Sequence, residues 1–280
     1  MREIHVDEIT STIARLVMEA NYVLEDDVVS AISRARSLEE APVGQSILMQ
    51  IVDNYTISET ERVPMCQDTG VALIFLELGQ DVHLVGGGLT EAINAGVAKG
   101  YSEGYLRMSM LNDPIKRVNT KNNTPAMIYT EIVPGDQLKI KVDCKGGGSE
   151  NMSQLRMLAP SAGWEGAKRF IVEAVANAGP NACPPLIVGV GIGGNFDKSA
   201  LLAKKSLLRH VGNPNADPDW AAREAELLEE INKLGVGPMG LGGTVTALAV
   251  HIETFGCHIT ALPVAVNIEC HSHRHKEVVL

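Results

Sequence analysis

The spacing of apolar residues alternates between helical and strand periods along this chain, and this alternation constrains its fold more than any other feature. Residues 7–22 and 26–36 place apolar side chains three and four positions apart, as one buried helix face requires. The run "VALIFLEL" at 71–78 favours a strand, and a third helical stretch follows at 89–110. We therefore expect an α/β fold with mixed sheets and flanking helices.

The second half of the chain continues the same alternation. Two strands on either side of a Pro-Gly-Asp turn predict a hairpin within residues 126–148. The other predicted elements are a helix at 164–179, a buried strand at 184–194, amphipathic helices at 197–211 and 221–235, and strands within 244–270.

Length and charge limit the domain organisation and the partners. The 280 residues suffice for one domain over 1–280, which can itself divide into two α/β subdomains. A formal charge of -10 with no run of Lys or Arg argues against nucleic acid or a membrane surface as partner, since both attract positive potential. The N-terminus lacks the basic start and apolar block of a signal peptide, and no apolar stretch approaches the ~20 residues that span a bilayer. We expect a cytoplasmic protein with a small-molecule partner.

Five cysteines are too few and too scattered for a disulfide framework. Cys66, Cys183 and Cys270 each lie at the edge of a predicted strand, where loops carry function. Cys144 and Cys257 lack a comparable group of polar neighbours, and we interpret them as structural. Three thiolates suit a soft metal centre, so an iron–sulfur cluster or zinc with one open coordination position is expected.

The stretch "VPMCQDTG" at 63–70 places Gln67 and Asp68 directly after Cys66. An amide can donate to a carboxylate or hydroxyl, and a carboxylate can move a proton. The alternative is a capped turn in which Asp68 accepts hydrogen bonds from backbone amides. Further along, Gly147 and Gly148 belong to "KGGGSEN", whose N–H groups predict a nest for a carboxylate, unless the glycines form only a flexible connection.

Charged candidates lie outside the cysteine motifs. Arg107 and Arg117 are both able to clamp a carboxylate with two hydrogen bonds, although most surface arginines pair weakly. His258 lies near an apolar strand, where a histidine is more often a satisfied core residue. The histidines of "CHSHRH" suggest zinc, but their alternate spacing differs from structural zinc motifs, and Arg274 and His275 better fit residues that orient the Cys270 loop.

A glycine motif offers a different function. Residues 189–194 satisfy the pattern GxGxxG, follow a predicted strand and precede a helix, which raises a dinucleotide-binding dehydrogenase as an alternative. That fold requires another parallel strand ending in an acidic residue about 20 residues further on, and residues 207–222 predict a helix end and a loop instead. A non-enzymatic iron–sulfur protein is a third alternative, but it gives Gln67 and Asp68 no role.

Eight sequence words resemble those of one enzyme family. "CQDTG", "NTPA", "VPGDQL", "KGGGSEN", "NACPP", "GIGG", "GLGGT" and "CHSHRH" occur in this order across residues 66–275. They resemble the α-type subunit of class I, iron–sulfur-dependent fumarate hydratases and L-tartrate dehydratases. The resemblance implies a [4Fe–4S] cluster held by Cys66, Cys183 and Cys270, whose fourth iron acts as a Lewis acid.

The resemblance also implies roles for other residues. Gln67 and Asp68 are expected beside the exposed iron, where both would bind substrate and act in catalysis. Arg107 is expected to bind a substrate carboxylate, and His258 is expected near the substrate as a third catalytic residue. The glycines at 147 and 148 are expected to bind substrate as well.

The activity implied by the resemblance is reversible hydration of fumarate to (S)-malate, with dehydration of L-tartrate as the alternative. The two substrates differ by one hydroxyl, which a few contacts can distinguish. Single-chain relatives continue beyond the position that corresponds to Leu280, so a separate β subunit is expected to complete the site and to supply the base at carbon. We expect an (αβ)₂ assembly with an α–α contact.

Overall fold

A computed structural model describes residues 2–280 as two compact units. The first unit comprises the chain up to Glu25, Asn54–Gly147 and Arg274–Leu280, and the second comprises Asp26–Asp53 and Gly148–His273. In chain order the elements are β1 (Arg2–His5), α1 (Val6–Tyr22), α2 (Asp26–Leu38), α3 (Pro42–Glu61), β2 (Val71–Gly79), β3 (Val82–Val85), α4 (Leu89–Glu103), β4 (Met127–Val133), β5 (Leu138–Lys145), α5 (Gly147–Glu150), β6 (Gln154–Leu158), α6 (Gly163–Ala178), β7 (Leu186–Gly194), α7 (Phe196–Ser206), α8 (Pro218–Asn232), β8 (Ala247–Cys257), β9 (Leu262–Glu269) and β10 (His275–Val279).

The first unit is built on a four-stranded sheet in the order β10-β5-β2-β4. β2 is antiparallel to β5 and parallel to β4, and β10 is antiparallel to β5. A short parallel pair of β1 and β3 lies beside this sheet in the same unit. Apolar side chains of α1, α4, β2 and β5 form the core, because each of these elements has one buried apolar face.

The hairpin predicted within residues 126–148 is wrong. β4 and β5 exist, but they are not paired with each other, because β2 lies between them in the sheet. Strand propensity predicted both strands, whereas their separation depends on β2, which lies about 50 residues earlier in the chain.

The second unit contains another four-stranded sheet, in the order β6-β9-β7-β8. β7 is parallel to β8 and antiparallel to β9, and β6 is antiparallel to β9. The core packs α6 and α8 against β7, β8 and β9. The two sheets, each with helices packed against it, confirm the expected α/β class.

Two helices differ from the predicted ones. The helix expected at 89–110 ends at Glu103, since Gly104 caps it by donating to Gly100 O and Tyr105 has a φ of 50°. The helix α3 was not predicted, although it begins with a proline and buries Leu48, Ile51 and Tyr55 along one face. No helix within residues 2–280 has the length and apolar character needed to cross a membrane.

Candidate active site

In the first unit, three chain segments meet at one edge of the sheet. Val71 at the start of β2 pairs with Lys145 at the end of β5, and His275 at the start of β10 pairs with Asp143. The residues next to these pairs therefore lie at the same edge. They are the 66–70 turn before β2, the glycines at 146 and 147 after β5, and Arg274 before β10.

Asp68 is the residue that connects these segments. Its Oδ1 accepts a hydrogen bond from Gly70 N at 3.0 Å, and its Oδ2 accepts one from Gly147 N at 2.8 Å. Its main-chain carbonyl accepts a hydrogen bond from Arg274 Nη1. Asp68 therefore caps this turn, and its side chain is partly exposed at the sheet edge, so its role in proton transfer stays a prediction.

The contact with Asp68 changes the interpretation of Gly147. A nest for a substrate carboxylate was expected here, but the Gly147 N–H already donates to a carboxylate of the protein. The glycine pair still leaves room, since a Cβ added at Gly147 would lie 3.8 Å from Asp68 Oδ2. Gly148 belongs to the second unit, where an added Cβ would lie 3.6 Å from Asn181 O.

Two buried polar side chains, Tyr101 and Asn123, form hydrogen bonds to main-chain carbonyls of the 66–70 turn. Tyr101 is fully buried, and its hydroxyl lies 2.8 Å from Thr69 O and 3.1 Å from Gly70 O. Burial raises the pKa of Tyr101 well above its usual value, so the hydroxyl stays a donor to these carbonyls. Asn123 donates to Gly70 O at 3.2 Å. Neither residue was predicted as a site residue: Asn123 begins the word "NTPA" but was given no role, and only its tertiary neighbours distinguish Tyr101 from an ordinary core position.

The same turn fixes the backbone of Arg107. Thr69 Oγ1 donates to Arg107 O at 3.0 Å, and Asn123 Oδ1 accepts from Ser109 N and Met110 N at 2.7 Å and 3.0 Å. Arg107 thus lies beside the Asp68 turn, and its side chain is exposed.

Arg117 lies in a different setting. It occupies an exposed turn with a φ of 56°, and its N–H donates to Asp113 O at 3.0 Å. Because no hydrogen bond connects this turn to Asp68 among the described residues, Arg107 is the better candidate for a carboxylate clamp.

Cys66 and Cys144 differ in their capacity to bind a metal. Cys66 is free and partly exposed, and its Sγ lies 3.5 Å from Oε1 of the exposed Gln67. Cys144 is 1% exposed, and burial raises the pKa of its thiol to about 12. A thiol that resists deprotonation is a poor metal ligand, which agrees with the structural role predicted for Cys144.

In the second unit, two cysteines lie at one edge of the sheet. Cys183 precedes β7 and Cys270 follows β9, and Ile187 pairs with Glu269 across these antiparallel strands. His271 N also donates to Cys183 O at 3.4 Å. The structure therefore places the segments of Cys183 and Cys270 side by side, and both residues are partly exposed and outside any disulfide.

A polar network supports the segment before Cys270. Lys204 Nζ contacts both carboxylate oxygens of Glu150 at 2.8 Å and 2.9 Å, and Asn267 Nδ2 donates to Glu150 Oε2 at 2.8 Å. Ser149 Oγ donates to Glu269 Oε1 at 3.4 Å. These contacts join the helical turn after Gly148 to the end of β9.

His258 lies away from the two cysteines. It follows β8, and because β8 is parallel to β7, its end pairs with Gly194 at the far end of β7 from Cys183. The exposed ring of His258 contacts Thr260 Oγ1 at 2.8 Å. The structure does not bring His258 together with Cys183 and Cys270 within this unit, because the strand directions place His258 at the opposite end of the strands from the two cysteines. Cys257 is the last residue of β8 and is exposed, so it is not a core residue.

The histidines of "CHSHRH" have separate contacts. His273 Nε2 lies 2.8 Å from Leu207 O, so it donates to the end of α7. His275 is the first residue of β10 in the first unit. Across residues 2–280, no three side chains of His, Cys, Asp or Glu are placed together so as to hold a metal ion. The donor chemistry still suits a soft metal, since Cys66, Cys183 and Cys270 are partly exposed at sheet edges and form no disulfide.

The GxGxxG glycines serve helix packing. A Cβ added at Gly189 would lie 2.3 Å from Ala203 O, and one at Gly191 would lie 2.0 Å from Ser199 O. Only glycine permits α7 to pack this closely on β7. This packing explains the motif without a dinucleotide.

Comparison with known proteins agrees with these observations. The family model of fumarate hydratase (fumerase) matches residues 10–279. A provisionally named L(+)-tartrate dehydratase subunit alpha from Methanocaldococcus jannaschii is 42% identical over 273 residues, which cover 95% of each chain. L(+)-tartrate dehydratase subunit alpha from Escherichia coli strain UTI89 is 33% identical over 96% of this chain and 89% of the relative. The chain therefore belongs to the fumarate hydratase (fumerase) family.

Proposed function

We propose that this chain is the α subunit of an iron–sulfur hydro-lyase that interconverts fumarate and (S)-malate. The observation that carries the proposal is the fixed carboxylate of Asp68, which lies in one turn with a free cysteine and an exposed amide. Membership of the fumarate hydratase family supports it.

The cofactor in this proposal is a [4Fe–4S] cluster held by Cys66, Cys183 and Cys270. These cysteines are partly exposed and form no disulfide, whereas Cys144 is buried with a raised pKa. Three thiolate ligands leave one iron without a protein ligand. When bound, such a cluster supplies a Lewis acid that polarises the hydroxyl group being added or removed. Zinc stays the alternative metal.

Asp68 moves the proton of the water that adds to the double bond. Gly70 N and Gly147 N hold the two carboxylate oxygens, and each oxygen keeps a further lone pair for a proton. In hydration Asp68 takes a proton from the water as its oxygen bonds to one carbon of fumarate, and in dehydration it returns that proton. Arg274 fixes the main chain of Asp68 and so orients the carboxylate.

The dicarboxylate substrate needs donors for its two anionic ends. Arg107 provides a planar guanidinium, and two of its five N–H groups can pair with one carboxylate. Gln67 provides an exposed amide for the substrate hydroxyl or for the second carboxylate, with the N–H of Gly148 as a further donor. Gly147 contributes through Asp68 rather than by contact with the substrate.

A second subunit completes the site in this proposal. Hydration also requires proton transfer at the other carbon, and the Asp68 turn offers no second carboxylate or lysine for this step. Relatives of this chain are named as subunit alpha. We propose a β subunit that supplies the carbon base and the remaining substrate contacts, in an (αβ)₂ assembly with an α–α contact. The catalytic role of His258 stays a prediction, although His258 lies at the opposite end of β7 from Cys183. A cytoplasmic location is part of the same proposal.

The ligand assignment is tested by anaerobic reconstitution of the purified chain. Wild type should take up about four irons per chain and show the broad visible absorbance of a cubane cluster. Serine at Cys66, Cys183 or Cys270 should abolish this absorbance, and serine at Cys144 or Cys257 should preserve it. Loss of the cluster in Cys144→Ser together with its retention in Cys183→Ser would overturn the assignment.

Dehydration of L-tartrate is the second candidate activity. It is favoured by the names of the relatives from M. jannaschii and E. coli. The substrates differ by one hydroxyl, which the site residues named above do not by themselves distinguish. The reconstituted enzyme with its β subunit should be assayed with fumarate, mesaconate and both enantiomers of tartrate. A higher kcat/KM for L-tartrate than for fumarate would replace the first candidate by the second.

A further inference from the structure

A glycine-rich loop at residues 236–246 borders the turn that carries Cys183. Met239 N donates to Pro184 O at 2.8 Å, directly after the cysteine. Cys183 itself has a φ of 55°, a left-handed conformation that few residues other than glycine adopt without external support.

The same loop contacts the turn on both sides of Cys183. Before the cysteine, Gly240 packs on Pro180 so closely that an added Cβ would lie 2.1 Å from Pro180 Cβ. After it, Leu186 N donates to Thr246 O at 2.9 Å. The position of Cys183 therefore depends on the position of this loop.

Glu39 fixes the loop from a distant part of the sequence. Its side chain is 1% exposed, and Oε1 accepts from Ala41 N at 2.8 Å and from Thr244 N at 3.0 Å. Oε2 accepts from Thr244 N at 3.0 Å and from Val245 N at 2.8 Å. The carboxylate of Glu39 thus accepts hydrogen bonds from its own segment, at Ala41 N, and from the loop, at Thr244 N and Val245 N.

The Glu39 side chain packs so closely on Gly243 and Gly44 that neither glycine could carry a side chain without displacing it. A Cβ added at Gly243 would lie 2.5 Å from Glu39 Oε1, and one at Gly44 would lie 2.7 Å from Glu39 Cγ. Burial alone raises the pKa of Glu39, but the backbone hydrogen bonds outweigh it and hold the pKa below 4.5. The carboxylate is therefore charged at neutral pH and bound by N–H groups.

We propose that Glu39 is a positioning residue for Cys183: it holds loop 236–246, and the loop holds the cysteine turn in the conformation that a metal ligand needs. This inference rests on the proposed ligand role of Cys183. Glu39 acts through the loop and does not itself bind the metal or the substrate.

The test compares the reactivity of individual thiols in the chain without metal. Glu39→Gln keeps the size of the side chain but turns an NH₂ group toward a backbone N–H, which leaves a buried donor unsatisfied. Alkylation of Cys183 by N-ethylmaleimide, followed by mass spectrometry, should become about fivefold faster or more, since the turn opens more often. Alkylation of Cys66, which lies in the first unit, should change less than about twofold. Glu40→Gln is the matched control, because Glu40 is adjacent, carries the same charge and is exposed.

A second variant probes the contact from the side of the loop. Gly243→Ala directs a methyl group at the Glu39 carboxylate and should accelerate Cys183 alkylation in the same way. The double variant should be less than additive, because both changes break one contact. Unchanged Cys183 rates in both single variants would overturn the inference. Equal acceleration of Cys66 and Cys183 would also overturn it, since Glu39 would then stabilise the chain without selecting the cysteine turn.

Anaerobic reconstitution separates this inference from the proposed function. After reconstitution, Glu39→Gln should release iron to a chelator faster than wild type and than Glu40→Gln. If wild type takes up no iron, the proposed function fails and the ligand role of Cys183 fails with it. If wild type takes up iron and Glu39→Gln matches it in both alkylation and iron release, only the positioning role of Glu39 fails.

Discussion

Asp68 combines a structural contact and a chemical group in one side chain. Two backbone amides and Arg274 fix the residue, yet the carboxylate remains partly exposed at the sheet edge. A fixed carboxylate needs little reorganisation before it accepts a proton, which is what a general base requires.

Replacement of Asp68 by Asn keeps the size of the side chain and one of its two contacts with backbone amides. The amide turns an NH₂ group toward the other backbone N–H and removes the basic oxygen, so turnover should fall by about a hundredfold or more. The visible absorbance of the reconstituted cluster should persist. Asp81→Asn, at an exposed turn of the same unit, is the control and should keep wild-type turnover. If Asp68→Asn also keeps wild-type turnover, Asp68 is only a cap.

The two candidate arginines can be compared directly. Arg107→Lys replaces a planar fork by a point charge and should raise KM for fumarate about tenfold, the effect of one lost charge-assisted hydrogen bond. Arg117→Lys makes the same chemical change in an exposed turn and should leave KM within about twofold of wild type. Steady-state kinetics of both variants decide between them, and the reverse order of effects would move the clamp to Arg117.

At the level of elements, α7 packs closely on β7 in the second unit. At Gly189 and Gly191 the backbone of α7 occupies the space where a side chain would otherwise lie. Gly191→Ala should therefore reduce the free energy of unfolding by about 1–3 kcal/mol, the usual cost of overpacking. Gly256→Ala, where an added Cβ meets nothing within 4 Å, is the control. Urea denaturation of the chain without metal measures both, and equal stability of the two variants would contradict the packing role.

The end of α7 is held by two buried histidines. Nδ1 of His251 lies 3.2 Å from Ser206 O, and Nε2 of His273 lies 2.8 Å from Leu207 O. Since a carbonyl only accepts, these nitrogens carry the protons. Burial, with further contributions from Arg209 and His273, lowers the pKa of His251 from 6.5 to about 3.

This lowered pKa makes stability depend on pH. His251 stays neutral in the folded chain but becomes protonated on unfolding below pH 6.5, so the free energy of unfolding should fall as pH decreases from 6.5 towards 3. His251→Gln should reduce this slope by up to about 1.4 kcal/mol per pH unit. Urea denaturation at a series of pH values provides the measurement, with the exposed His83→Gln as control. An unchanged slope in His251→Gln would refute the effect.

For the whole molecule, the expected activity depends on a second chain. The chain purified alone and reconstituted anaerobically should hold a cluster but show at most a few per cent of the hydratase activity reached with the candidate β subunit, because the second proton-transfer group is missing. Fumarate hydration is assayed before and after addition of that subunit. Full activity of the isolated chain would contradict the need for a partner.

The sequence by itself determined the α/β class, most of the helices and strands, and the distinction of Cys66, Cys183 and Cys270 from Cys144. These properties depend on periodicity and on neighbours within a few residues, which a single sequence contains. The words around the cysteines also predicted the family that the comparison then showed.

Only the tertiary structure decided which distant segments meet. β4 and β5 are separated by β2, and His258 lies at the opposite end of β7 from Cys183. Gly147 donates to Asp68, and Glu39 accepts from the loop beside Cys183. Each of these contacts follows from strand order or from a hydrogen bond between residues far apart in the chain. Local apolar periodicity specifies which face of an element is buried, but it does not specify which element will cover that face.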